Sequence, residues 1–285
     1  MASLHHLVPG SARWPIELDQ IEHPPEELWL RGRIELLERR PRVAIVGTRS
    51  PTPYGELQAA RISCALALHG VVIVSGLARG IDECAHRAAL DSGGATLGVL
   101  GSGVDRPWPP GELAQRMSVE GCVLSELPPG QGPRRHHFPW RNRLIAGLAS
   151  VVVVVEAAYS SGSLITARWA VDQGRAVFAV PGRVDHPMAR GCHRLLRQGA
   201  ELCESPGDLL AALGLGEAEA ATDEPRPTHP ILRALEGETL TADELAARLV
   251  RPIPEVLVSL VELELAGTVA RGPGGLYRIA DVRSS

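Results

Sequence analysis

The sequence predicts a doubly wound α/β domain with a mostly parallel, Rossmann-like sheet, followed by a small winged-helix domain. Three observations carry this. Six short apolar runs between residues 43 and 182 alternate with helical stretches, and a glycine stands just before several of the runs. One run is five consecutive valines, Val151 to Val155, the pattern of a strand buried on both faces. The C-terminal portion, about sixty residues, reads as three helices and two short strands around a glycine-rich turn.

Residues 1–40 are a lead-in punctuated by Trp14-Pro15 and Pro24-Pro25, expected to supply short extended and helical pieces that pack on the main domain. The main domain is expected over residues 41–213. Its strands are VAIVG (43–47), VVIVSG (71–76), TLGVLG (96–101), CVLSE (122–126), VVVVVE (151–156) and AVFAVPG (176–182). Gly70, Gly94, Gly121 and Gly174 precede strands at positions where a helix C-cap belongs. Residues 214–228 are a polar, acidic linker with prolines. Residues 229–285 form the winged-helix domain: a first helix at 231–235, a second opened by the capping box Thr241-Ala242-Asp243-Glu244, and a third over 254–266.

In doubly wound folds, ligands bind beyond the C-terminal ends of the strands, so the loops there are informative. They are Gly47-Thr48-Arg49-Ser50 with Thr52-Pro53 as helix N-cap and first turn, then SGLARGID (75–82), GSGVDRPWP (101–109) and EAAYSSGS (156–163). Small residues let backbone N–H groups approach an anion, and helix N-termini favour one. Four such loops on one rim point to a phosphate-lined crevice. A second signal lies beside them. No acidic residue occurs between Leu127 and Val155, while Arg134, Arg135, Arg141 and Arg143 fall there with His136, His137, Phe138 and Trp140 interleaved. Guanidinium groups for phosphates and an aromatic face for a base are the chemistry of single-stranded nucleic-acid binding. An exposed basic loop with no ligand has the same composition.

Composition narrows the remaining classes. The formal net charge is −4, so nucleic-acid binding has to come from a local patch. All 29 basic residues are arginine, which removes lysine Schiff-base chemistry and the Walker-A lysine. The five cysteines are scattered without a C-x-x-C and read as reduced core residues of a cytoplasmic protein. No apolar segment approaches the length of a membrane span. The dinucleotide fingerprint, the nucleophile elbow and the H-E-x-x-H zinc motif are all absent, and the histidines lack metal-ligand spacing. Asp82 and His86, four apart on one helix face, could pair as acid and base, but an Asp near a helix start is more ordinarily a dipole or capping partner. No cofactor and no metal are expected.

Several motifs in order resemble the DNA-processing protein A (DprA, or Smf) family. They are the lead-in pattern over 14–32, VAIVGTR, SGLARGIDECAHRAAL, SELPPG followed by FPWRNRLIAGLA, EAAYSSGSLITARWAVDQGRAVFAVPG and GCHRLLRQGA. The resemblance implies a cytoplasmic, non-enzymatic protein that binds and protects single-stranded DNA in natural transformation. It also implies loading of a RecA-type recombinase and a homodimer formed through the α/β domain. Residue by residue, it places the DNA pocket on Arg49, Arg135 and Phe138, and carries over Arg141, Asn142, Arg143 and the turn Ser161-Gly162-Ser163. Many members have a helical domain ahead of the lead-in, for which this chain has no room; His193 and Trp108-Pro109 also depart from the usual residues.

Two rivals come from other classes. Nucleotide phosphoribohydrolases share the α/β superfamily, but their P-G-G-x-G-T-x-x-E loop is replaced here by EAAYSSGS, with Glu156 left as a strand-end residue. A transcription regulator would use the winged helix on duplex DNA. Its third helix, however, carries Glu255, Glu262 and Glu264 and no arginine, and residues 228–285 hold six arginines against eight acids, a net of −2.

Overall fold

The computed structural model describes residues 3–216 and 229–280, which form two compact units. Residues 217–228, most of the expected linker, lie outside the described residues, as do 281–285.

The larger unit holds a nine-stranded sheet in the order β1-β2-β6-β5-β4-β3-β7-β8-β9. Seven strands are parallel: β3 (Arg42–Val46), β4 (Val72–Ser75), β5 (Thr96–Val99), β6 (Cys122–Ser125), β7 (Val151–Val154), β8 (Ala176–Ala179) and β9 (Glu201–Leu202). Every residue of β3, β4, β5, β6 and β7 is buried, as expected of strands covered by helices on both faces. Two antiparallel strands from the lead-in, β1 (Leu4–Leu7) and β2 (Leu28–Gly32), extend the sheet beyond β6. Their residues show no β-branched run. Leu28 and Leu30 alternate inward while Trp29 stacks on His6, with ring centroids 4.1 Å apart. The lead-in is also pinned through Arg42, fully buried at the start of β3. Arg42 donates to the carbonyl oxygens of Leu37 and Leu148 and to Glu17 Oε1, and burial pulls its pKa down to about 10.

The helices that cross between strands are α1 (Pro53–Leu68), α2 (Ile81–Asp91), α3 (Glu112–Met117), α4 (His137–Leu148), α5 (Ser163–Asp172) and α6 (Arg190–Arg197), followed by α7 (Pro206–Ala212). Thr52 caps α1, accepting from Gly55 N–H at 3.2 Å. Gly70 and Gly174 take the left-handed conformation of a C-cap, at φ +76° and +68°. Gly94 and Gly121 do not. Gly93 supplies the left-handed residue after α2, and Gly94 is small because a Cβ there would collide with Ala67. All five cysteines are free; burial pushes the thiols of Cys122, Cys192 and Cys203 up to about 12.

Strand order locates the site. Strands β3 to β6 run outward in one direction and β7 to β9 in the other, so the order reverses between β3 and β7. The crevice beyond the C-terminal ends of those two strands is where this architecture binds ligands.

The smaller unit contains α8 (Pro230–Ala234), β10 (Leu240–Thr241), α9 (Ala242–Leu249), α10 (Ile253–Leu265), β11 (Val269–Arg271) and β12 (Leu276–Ile279), with sheet order β10-β12-β11. Its core closes around Ile231, Leu235, Leu245, Val256, Leu260, Val269 and Tyr277. The capping box forms: Glu244 N–H donates to Thr241 Oγ1 at 3.3 Å, and Thr241 N–H to Glu244 Oε2 at 2.8 Å.

Candidate nucleic-acid interface

At the switch point lies an open cleft of about 340 Å³, bordered by the loop after β3, the first half of α4 and the turn that starts α5. Each border follows from local sequence. After β3 the chain turns through Gly47, where a Cβ would press into Ile81 and stand 2.9 Å from the Glu156 carbonyl oxygen. Thr48 N–H donates to that same carbonyl at 2.7 Å, fastening the loop after β3 to the end of β7. Arg49 follows and is exposed.

Opposite it, Phe138 sits in the first turn of α4. Its ring packs over Gly101 at the end of β5, where an added Cβ would stand 3.0 Å from the ring, and carries the Arg49 guanidinium 5.6 Å from its centroid. The ring is half-buried and lines the cleft beside exposed Arg135. On the third side, Ser161, Gly162 and Ser163 open α5. Gly162 provides no side-chain cap, Ser161 and Ser163 hydroxyls bond each other at 2.8 Å, and Asn142 Nδ2 donates to Gly162 O at 3.4 Å. The start of this ten-residue helix therefore borders the cleft with its positive dipole end, while its first N–H groups are taken within the turn: Ser163 N–H donates to Ser161 Oγ at 3.4 Å, Leu164 N–H to Ser161 O at 3.2 Å and Ile165 N–H to Gly162 O at 3.1 Å.

The floor is charged and buried. Arg141 is 4% exposed and donates to the Val99 carbonyl oxygen; burial pulls its pKa down to about 10, so it stays cationic at neutral pH. Asp82 shares this floor and accepts from Gly76 N–H at 3.0 Å; burial pushes its pKa up, with the Arg141 charge opposing. The cleft lining thus carries three arginines and one acid, and that acid is buried. Such a surface attracts phosphate and offers a ring to a base.

Eight of the nine residues singled out in the sequence meet in this cleft: Arg49, Arg135, Phe138, Arg141, Asn142, Ser161, Gly162 and Ser163. Two of the arginines differ in setting from Arg49 and Arg135. Arg141 forms part of the buried floor. Arg143 does not reach the cleft at all: it is 2% exposed, pairs with both Glu126 oxygens at 2.6 and 2.5 Å, and donates to the carbonyl oxygens of His23 and Trp140. The reason is helical phase, since residues two apart lie about 200° apart around a helix and cannot share a face. The acid–base pair is also not formed. His86 Nδ1 bonds Thr96 Oγ1 at 2.7 Å in the core, and Asp82 is occupied with Gly76. Sequence reasoning missed Ile145, Ile165 and Thr166, which line the cleft from the third turn of α4 and the start of α5. Spacing of three to seven residues from Phe138 and Gly162 was the available signal.

A family model described as DNA recombination-mediator protein A matches residues 5–214, and one described as DprA winged helix domain matches residues 216–275. The chain is similar to Protein Smf of Escherichia coli, 39% identical over 292 residues, covering 96% of this chain and 78% of that protein. Among solved structures, it is similar to DNA processing protein A from Streptococcus pneumoniae, with a TM-score of 0.70 and 40% identity over 73% of this chain and 74% of that one. It is also similar to DNA processing protein A from Helicobacter pylori, whose structure was described for its single-stranded DNA binding mode. There the TM-score is 0.68, with 30% identity over 75% of this chain and 98% of that one.

Proposed function

The chain belongs to the DNA recombination-mediator protein A family, and from that premise we propose that its cleft binds single-stranded DNA. The observation that carries the reading is the meeting of Arg49, Arg135 and Phe138 around one opening, bordered by the start of α5. Arginines hold successive phosphates, Phe138 stacks on a base, and the positive end of the α5 dipole adds to the attraction for the backbone. None of these contacts reads a base edge in a duplex groove, so preference for single strands and little sequence dependence follow. The cleft offers no nucleophile with an activating base, so the protein binds and protects DNA and does not turn it over.

The test is fluorescence anisotropy with single-stranded and duplex oligonucleotides across a salt series. Single strands are expected to bind more tightly, with log K falling by about 0.7 per neutralised phosphate for each decade of salt. Equal affinity for duplex, or a flat salt response, would refute the cleft reading. Incubation with nucleoside monophosphates or triphosphates is expected to release neither ribose nor phosphate. The finer role, loading a RecA-type recombinase onto coated single strands as a homodimer, is supported by family membership alone. Faster recombinase filament growth on coated DNA, with the recombinase of the same organism, is the expected result.

A further inference from the structure

We propose that the outward face of α10 is a docking surface for an amphipathic helix of another protein, one whose apolar stripe is flanked by lysine or arginine. The proposal is independent of the cleft. A helix on the surface of a small domain needs one apolar face to fold, and α10 has it. Val256, Leu260 and Leu263, four and three residues apart, pack into the core of the smaller unit. The helix then carries a second apolar face. Leu257, Val258, Val261 and Leu265 fall within about 100° of arc on the side away from that core, and all four are exposed. Val258, Val261 and Leu265 follow one another at three and four residues, the spacing of a seam that packs against a second helix. Val250, in the turn before α10, is equally unaccounted for by the fold. Its left-handed backbone, at φ +53°, disfavours a β-branched residue, yet its side chain is 90% exposed, so nothing it packs against offsets the strain.

The edges of the stripe identify the occupant. At about 100° per residue, Glu255 and Glu262 lie along one edge and Glu264 along the other. All three are exposed. Among the described residues none of them has a cation partner, whereas Glu238 of the same unit pairs with Arg248 and Glu244 closes the capping box. A stripe apolar in the middle and anionic on both sides matches a partner helix with cations at the corresponding positions. A second copy of α10 would set these carboxylates against their own equivalents, at a cost. Nucleic acid and anionic membrane surfaces are repelled by the same charges, and helices that lie on membranes carry lysine and arginine on their polar side. With 13 residues, α10 is about 20 Å long, which accommodates a partner of about three to four turns.

The experiment titrates the full chain into two fluorescein-labelled peptides of about twenty residues, both with leucine at heptad positions a and d, one with lysine and the other with glutamate at e and g. The lysine peptide is expected to bind about tenfold more tightly or better, with the difference narrowing as salt rises. Glu255→Arg/Glu262→Arg/Glu264→Arg, which alters only exposed positions, is expected to reverse the preference. Val258→Asp/Val261→Asp is expected to abolish binding of the lysine peptide while the melting temperature and solution mass stay unchanged. Binding of neither peptide, equal binding of both, or a preference that survives the charge reversal overturns the proposal. A solution mass that falls in Val258→Asp/Val261→Asp overturns it too, and assigns the face to contact between copies of the chain. Should the aspartate variant not fold, the charge reversal decides the matter by itself.

Discussion

Phe138 is packed on one side and presented on the other, which divides its possible roles. Its contact with Gly101 pins the start of α4, while its cleft side is shared with the Arg49 guanidinium. A stacked base replaces water on that side, so Phe138→Ala is expected to cost about 1–3 kcal/mol of single-strand affinity. Thermal melting of the same variant checks that the loss is not unfolding. Arg143 is the contrasting residue. Its guanidinium forms a two-oxygen pair with Glu126 and stacks 4.3 Å from the Trp140 ring centroid, in nearly complete burial. Arg143→Ala leaves Glu126 without its counter-charge and is expected to lower stability by roughly 3–5 kcal/mol. DNA affinity, measured where the variant remains folded, is expected to be unchanged. If affinity falls as steeply as in Arg49→Ala, Arg143 contacts DNA after all.

At the level of elements, legibility followed pattern strength. The valine run and the other β-branched runs announced β3 to β8, because a strand covered on both faces admits little else. Strands β1 and β2 are legible only as extended pieces of the lead-in and β9 not at all, because they lack a β-branched run and their pairing is decided by neighbours far away in sequence. The basic segment reads as cationic from composition, but helical phase decides which arginines reach the cleft: Arg141 turns into its floor and Arg143 away from it. Helix α2 illustrates a role hidden from sequence. His86 is wholly buried between α2 and β5, and burial lowers its pKa to about 3. In the unfolded chain the imidazole takes up a proton below about pH 6.5, and in the folded chain it stays neutral. Its contribution is therefore fully present above that pH and is lost as pH falls, at about 1.4 kcal/mol per pH unit. His137, whose pKa burial also lowers, acts in the same direction. Melting curves between about pH 7 and pH 5 are expected to show this loss, and His86→Asn is expected to flatten it by one proton. A slope unaltered by that substitution would mean that His86 is protonated in the folded state.

Over the whole molecule, charge is distributed unevenly between the two units. The chain is net negative, yet the cleft of the larger unit carries three arginines against one buried acid. The smaller unit has the opposite balance: residues 228–285 hold six arginines and eight acids. Its third helix is the element that enters the major groove in duplex-reading winged helices. Here Val256 and Leu260 of α10 face the core, and the outward side presents Val258, Val261 and Leu265, exposed by 61%, 53% and 84%. Glu255, Glu262 and Glu264 are exposed on the same helix. Apolar side chains make no hydrogen bonds to base edges, and three carboxylates beside a phosphate-lined groove are repelled from it. Arg271 and Arg278 lie on the wing strands, but Arg271 is drawn over the Tyr277 ring at 5.8 Å, and two phosphate contacts give little affinity. A fragment beginning at His229 is accordingly expected to bind no labelled duplex at physiological salt, while the full chain retains its single-strand affinity. Titration of the fragment decides the matter: micromolar or tighter duplex binding would overturn the charge argument and restore a duplex-reading role to α10.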